Sequence, residues 1–297
     1  MNKSRLVLPV LAAAVAAAVL SAQSALEQLK TYTDSAPAPA KSAPGPARAP
    51  VAAGLPEIIG IRLGTPLREA FTILQTAHPK ERLGTSAVSV PGIEKPVLSD
   101  FFFDSPYVVE EKVHVYVTPP PTPQVVWKVT RQLSKLKIYR ANVLSSLREK
   151  YGKETATAPL VANDEQLTDM WWLLDEQGRP LKLPPPRSNF VDGVQMLASC
   201  AGSLGGSWFA PNNLEMTLQR LEQKDSTTPA SEWCYSAGIG IHANVPPSDI
   251  VTAFQVEIFH YPMAMRSART EMVFVNEAGK RQQQREVNES KQAKPKL

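Results

Sequence analysis

The chain reads as an α+β protein: a mostly antiparallel sheet with helices packed on one face, built as one unit or as two small subdomains. Three observations predict this. Runs of period-2 alternation recur along the chain, with valines and isoleucines on one side and polar side chains on the other. Helical periodicity is confined to a few short stretches, one of them opened by Thr65-Pro66. Proline clusters and glycine turns separate neighbouring strand patterns and suit hairpins rather than β–α–β crossovers.

Of the 297 residues, 43% are hydrophobic, enough for a substantial core, and 27 are proline. Residues 1–25 have the layout of a secretory signal peptide. Lys3 and Arg5 precede an apolar run over 6–20, and small residues at Ala22, Ser24 and Ala25 offer cleavage positions. The run is shorter than the roughly 20 residues that a membrane span requires, so no stable transmembrane span is expected after cleavage. Residues 26–56 form a Pro/Ala-rich linker. Proline at almost every second or third position over 35–50 favours extended polyproline II and suits a spacer.

The folded body opens on Glu57-Ile58-Ile59-Gly60-Ile61-Arg62-Leu63-Gly64-Thr65-Pro66, read as a short apolar strand, a glycine turn and a helix start with Thr65 as N-cap and Pro66 at the first helical position. Leu67, Ala70, Phe71, Leu74 and Ala77 then recur at helical spacing until His78-Pro79. Val88 and Val90 suggest a short strand. Val113, Val115 and Val117, then Val125, Trp127 and Val129, give two alternating strands across Pro119-Pro120-Pro121-Thr122-Pro123, a long-loop hairpin. A helix over 141–151 stops at Gly152. A strand over 171–174 turns at Asp175-Glu176-Gln177-Gly178 and returns over 181–183. Pro184-Pro185-Pro186 is taken as the boundary between a domain at 57–183 and a second α+β unit at 187–279. That unit holds strands at 194–200, 233–241 and 250–258, the last read as an edge or half-exposed strand. A helix or strand fits 214–223, and a charged helical stretch starts at Ala264. Residues 280–297 read as a charged, disordered tail.

The formal charge is +4, from 32 basic and 28 acidic side chains. The excess sits in the tail and in the signal region, so the body is slightly acidic and a nucleic-acid partner is not expected. Cys200 and Cys234 are the only cysteines. In an exported chain such a pair suggests a disulfide, worth about 3–4 kcal/mol in the chain-entropy picture. The four histidines, His78, His114, His242 and His260, are scattered without metal-site spacing. No phosphate-binding glycine motif occurs, and no cofactor is expected.

One stretch suggests catalysis. Ala201-Gly202-Ser203-Leu204-Gly205 fits a loosened G-x-S-x-G elbow, and Asp225 or Asp249, then His260, follow in the order that α/β-hydrolases use. The elbow requires a helix directly after the serine, whereas 205–213 reads as a loop, so a serine hydrolase is the second reading. A third is an envelope-glycan binder: Trp127, Trp171, Trp172, Trp208 and Trp233 could line a groove, Trp208 and Trp233 being the chosen pair, although core packing is the commoner role for tryptophan.

Leu63-Gly64-Thr65-Pro66-Leu67-Arg68-Glu69-Ala70 resembles the L-G-M-[ST]-x-x-[EQ]-V opening of BamE-like outer-membrane assembly lipoproteins and of other exported bacterial α+β proteins. Gly64 and Glu69 match; Thr65 and Ala70 depart, and the lipid-anchoring cysteine is missing. The resemblance implies a helix-on-antiparallel-sheet fold and a cell-envelope address. The sequence therefore favours an exported bacterial protein, periplasmic or secreted. The expected role is binding or scaffolding of an envelope protein or glycan, without catalysis.

Overall fold

A computed structural model describes residues 29, 32, 54–79, 82–90, 93–105, 110–162, 165–181 and 238–292. Cys200, Cys234, Ser203, Asp225, Trp208, Trp233, the strand expected at 194–200, the element expected at 214–223 and the signal region lie outside the described residues.

The body is α+β, dominated by an eight-stranded antiparallel sheet. It opens with a two-residue hairpin, β1 (Glu57–Ile58) to β2 (Ile61–Arg62). Both turn residues have positive φ, Ile59 at 53° and Gly60 at 76°, the geometry of a type I′ turn. The expected strand, turn and helix thus hold a second turn. Gly64, at φ 84°, donates its N–H to Val126 O, and Leu67 N donates to Gln124 O, which fastens the helix start to the sheet. Helix α1 (Leu67–Ala77) buries Leu67, Ala70, Phe71 and Leu74. Pro66 occupies the N-cap position, and the Thr65 hydroxyl accepts from Arg62 N. The Thr65 side chain therefore serves the turn before the helix and does not cap it, one position away from the sequence expectation.

The main sheet runs β3 (Gly84–Val88), β4 (Val97–Asp104), β5 (Glu110–Val117), β6 (Val126–Ser134), β12 (Phe254–His260), β10 (Ile239–Val245), β9 (Glu165–Leu174), β8 (Ala156–Ala162). Between them come the pair β7 (Ile138–Tyr139) and β11 (Ile250–Val251), helix α2 (Arg140–Tyr151) and the closing helix α3 (Tyr261–Gln292). The hairpin across the proline cluster is present as β5–β6.

Three sequence expectations are altered. The stretch expected as one strand over 250–258 is broken into β11 and β12, and β12 lies inside the sheet between β6 and β10 instead of at an edge. Its polar residues are covered because they are paired across strands. Strands on either side of Pro184–Pro186 also share this sheet, since β9 pairs with β10; the proline cluster does not divide it. Residues 280–292, expected as a disordered tail, continue α3, where Gln282–Glu286 and Gln284–Asn288 hydrogen bonds at i,i+4 support a solvated helix.

One face of the sheet carries the main core. Val113, Val115, Val117, Val129, Met170, Trp172, Ile241, Ala243, Val256 and Ile258 pack with α1 and with Val143 and Leu147 of α2. Two residues of the segment expected as a tether join this body: Leu29 is buried in the same core, and the Tyr32 hydroxyl bonds Thr85 Oγ1 at 2.7 Å. The first turn of α3 lies on the opposite face, where Tyr261 stacks on Phe259 and faces Trp127.

Candidate functional site

The face opposite α1 and α2 carries a continuous band of charged and aromatic side chains. Alternation along each strand sends Asp169 and Trp171 of β9, His242 and Asn244 of β10, Glu257 and Phe259 of β12, Lys128 and Thr130 of β6, and His114 and Tyr116 of β5 to this side. The register aligns them. His242 pairs with Trp171 and with Glu257; Thr130 pairs with Glu257 and with His114; Lys128 pairs with Phe259 and with Tyr116. Asp100 and Phe102 extend the two rows onto β4, opposite Tyr116 and His114.

Two bulges set which residues join the band. Where Val117 pairs with Val126 and Tyr116 with Lys128, Trp127 is the extra residue, and it turns to the band side beside Tyr116 and Tyr261. Where Ala87 pairs with Leu98 and Ser86 with Asp100, Ser99 is the extra residue, and its hydroxyl bonds Asp100 Oδ2 at 2.8 Å. At the edge, the Phe102 ring covers Gly84, where any Cβ would meet it at 2.3 Å. At the centre, Gly240 lets Trp172 O approach to 2.2 Å from where a Cβ would stand.

The band holds two His–carboxylate pairs. At the more open end, His114 Nε2 lies 2.6 Å from Asp100 Oδ1. With Nε2–H donating there, Nδ1 accepts from the Tyr116 hydroxyl at 3.3 Å. Ser86 also donates to Asp100, at 2.8 Å. Burial opposes the Asp100 carboxylate, but the bonds from His114, Ser99 and Ser86 outweigh it and lower its pKa. Burial, with the charges of Asp100 and Glu257, pushes the Tyr116 phenol up to about 12.

At the buried end, His242 Nε2 lies 2.7 Å from Asp169 Oδ1, and its Nδ1 lies 3.4 Å from Glu257 Oε1. Asn244 Nδ2 donates to the same Asp169 oxygen at 3.0 Å. Lys128 Nζ reaches Glu257 Oε2 at 2.9 Å and lies 5.7 Å from the Tyr116 ring centre, linking the two ends. Burial works against the Glu257 carboxylate, yet the bond from His242 and the charges of Lys128 and His242 bring it down to about 2. Burial likewise opposes protonation of His242, and the bonds to Asp169 and Glu257 overcome it and raise its pKa. Trp171 stacks on His242 with ring centres 4.0 Å apart. The Trp171 Nε1 and Tyr261 hydroxyl groups are buried without a hydrogen-bond partner among the described residues.

The two carboxylates meet opposite nitrogens of one imidazole and do not converge on a point. Among the described residues, no group of three or more His, Cys, Asp or Glu side chains has the arrangement of a metal site. No described helix is long and apolar enough to cross a membrane.

Of the hydrolase candidates, His260 and Asp249 lie among the described residues and are not brought together. His260 precedes α3 and caps it: Met263 N donates to His260 Nδ1 at 3.1 Å. Burial, with the charge of Arg266, lowers its pKa to about 4, consistent with a neutral ring whose Nδ1 accepts. Asp249 accepts from Arg140 N through its backbone carbonyl, at the other end of β12. His260 closes β12 and Asp249 lies ahead of β11, so the length of β12 alone puts roughly 20 Å of extended chain between them. Trp127, Trp171 and Trp172 are buried and pack against neighbouring rings.

The sequence did not point to the band. Asp169 and His242 are 73 residues apart, and Asp100 meets His114 diagonally across β4 and β5, one row from its direct partner Tyr116. The signal that was present is the polar half of each alternating strand, which has the same appearance whether it meets water or a partner across the sheet. No protein-family model, curated protein or solved structure matches the chain, so the site is judged on its own chemistry.

Proposed function

We propose that the chain is an exported cell-envelope protein that acts by binding or scaffolding, without catalysis, and that its contact surface is the open end of the band. The observation that carries this is the cluster of Phe102, His114 and Tyr116. All three are half-exposed, with His114 held by Asp100 and packed between its aromatic neighbours at 5.2 and 4.4 Å. Such a patch offers rigid apolar edges beside fixed polar groups, the composition that interaction surfaces favour. The imidazole and carboxylate there are tied to each other and to serine and tyrosine hydroxyls, which suits a pre-set recognition surface. The signal-like residues 1–25 support the envelope address.

The test uses the full chain in its own cells, with a photo-reactive phenylalanine analogue at Phe102 and, as a control, at Ser145 on the exposed side of α2. The reading expects recovery of the chain outside the cytoplasm and an adduct with an envelope component at position 102 only. Cytoplasmic retention, or equal adducts at both positions, would overturn it.

A further inference from the structure

The buried end of the band poses a proton-counting problem. A neutral imidazole carries one N–H. Asp169 Oδ1 lies 2.7 Å from Nε2 of His242, and Glu257 Oε1 lies 3.4 Å from Nδ1. In either neutral tautomer one ring nitrogen would turn its lone pair toward a carboxylate, in surroundings that leave 15% of the His242 side chain and 3% and 6% of the two acids exposed. With both nitrogens protonated, each carboxylate receives an N–H.

Charge balance agrees. The charged groups facing His242 among the described residues are Asp169 from β9, Glu257 from β12 and, through Glu257, Lys128 from β6. Its other polar neighbours are neutral: Asn244 on its own strand bonds Asp169, and Thr130 on β6 reaches Glu257 at 3.5 Å. Tyr261 at the start of α3 is a phenol held neutral by burial. Two anions and the lysine leave one buried negative charge, which an imidazolium cancels. Burying an uncompensated charge is costly, so the proton belongs to the fold.

We propose that His242 is a structural proton-binding site, an imidazolium that clasps β9, β10 and β12 together and loosens them when its proton leaves to solvent. The clasp is a pH-responsive element within the sheet. Its contribution is complete below the unfolded histidine pKa of about 6.5 and is lost as pH rises through the higher value in the fold.

The experiment is long-range proton–nitrogen NMR of the imidazoles in the native, uniformly labelled chain between pH 6 and 10. His242 is identified by the signal that is lost in His242→Gln. The expected result is that both His242 nitrogens carry protons at pH 6.5, where a free imidazole is half neutral, and that the titration midpoint falls in Asp169→Asn. A single neutral tautomer at pH 7 would overturn the proposal. Thermal unfolding supplies a second readout in a Glu271→Gln background, which removes another group that titrates over this range. There the midpoint temperature should decline above pH 7.5, and His242→Gln should flatten the decline. An equal decline with and without His242 would also count against it.

Discussion

Lys128 on β6 and Glu257 on β12 form an ion pair, Nζ to Oε2 at 2.9 Å, with 13% and 6% of their side chains exposed. Removing one member of such a pair strands the other. Lys128→Met should cost about 3 kcal/mol in urea unfolding at pH 7, in the range for broken buried pairs. A loss under about 0.5 kcal/mol would class the pair with surface ion pairs. The Glu257 carboxyl is held at about 2, below its ordinary value. Its stabilisation is therefore present above about pH 4.5 and disappears as pH falls toward 2, and Lys128→Met should make that acid arm shallower.

His260 makes a second, separate acid dependence. Its folded pKa of about 4 lies below the unfolded value, so the unfolded chain takes up the proton first. The stability from its neutral ring is present above about pH 6.5 and drains as pH falls to 4, up to about 3 kcal/mol. His260→Asn retains a capping side chain and cannot titrate; unfolding profiles between pH 4 and 6.5 should flatten. His260→Ala should also lose about 1 kcal/mol at pH 7, because the Met263 N–H loses its acceptor.

Glu271 on α3 is covered on the inner side of the helix, and one of its carboxyl oxygens has no partner among the described residues. Burial raises its pKa to about 8. The carboxyl is thus neutral in the fold at pH 7 and ionised in the unfolded chain, so stability falls with rising pH between about 4.5 and 8. Glu271→Met fills the same space without a charge. Thermal and urea unfolding at pH 8 should show a gain of about 3 kcal/mol, with no matching gain at pH 4.

Tyr261 carries a hydroxyl that is buried and unpartnered among the described residues. Tyr261→Phe preserves the stacking on Phe259 and removes an unsatisfied donor. The expected outcome is a gain of about 1 kcal/mol at pH 7; a loss of similar size would mean that the hydroxyl has a bound partner.

How much of this was legible in the sequence depends on whether the cause was local. The α1 face, its stop at His78 and the β5–β6 hairpin follow from spacing and proline chemistry within each stretch, and the structure has them. The role of Thr65 moved by one residue because Leu67 N is taken by Gln124 O, from a segment far along the chain. The interior position of β12 was hidden for a different reason. Gln255 and Glu257 alternate with Val256 and Ile258 as they would on a solvent-facing strand, but Glu257 is satisfied by Lys128 and His242. The bulges at Ser99 and Trp127 are properties of strand pairs, and neither strand shows one alone. The band depends on both, and of its residues only Trp127 and Trp171 stood out in the sequence, as tryptophans that could line a groove.

The strand order has a consequence for how the chain reaches this state. β6 and β9 are made before the two strands that join them, β12 beside β6 and β10 beside β9. Until residues 239–260 emerge, each half of the sheet keeps an open edge where its centre will be. Such long-range pairing is slow to form. In the exported protein proposed above, that delay would keep the sheet loosely structured, and so threadable, until residues 239–260 had crossed the membrane.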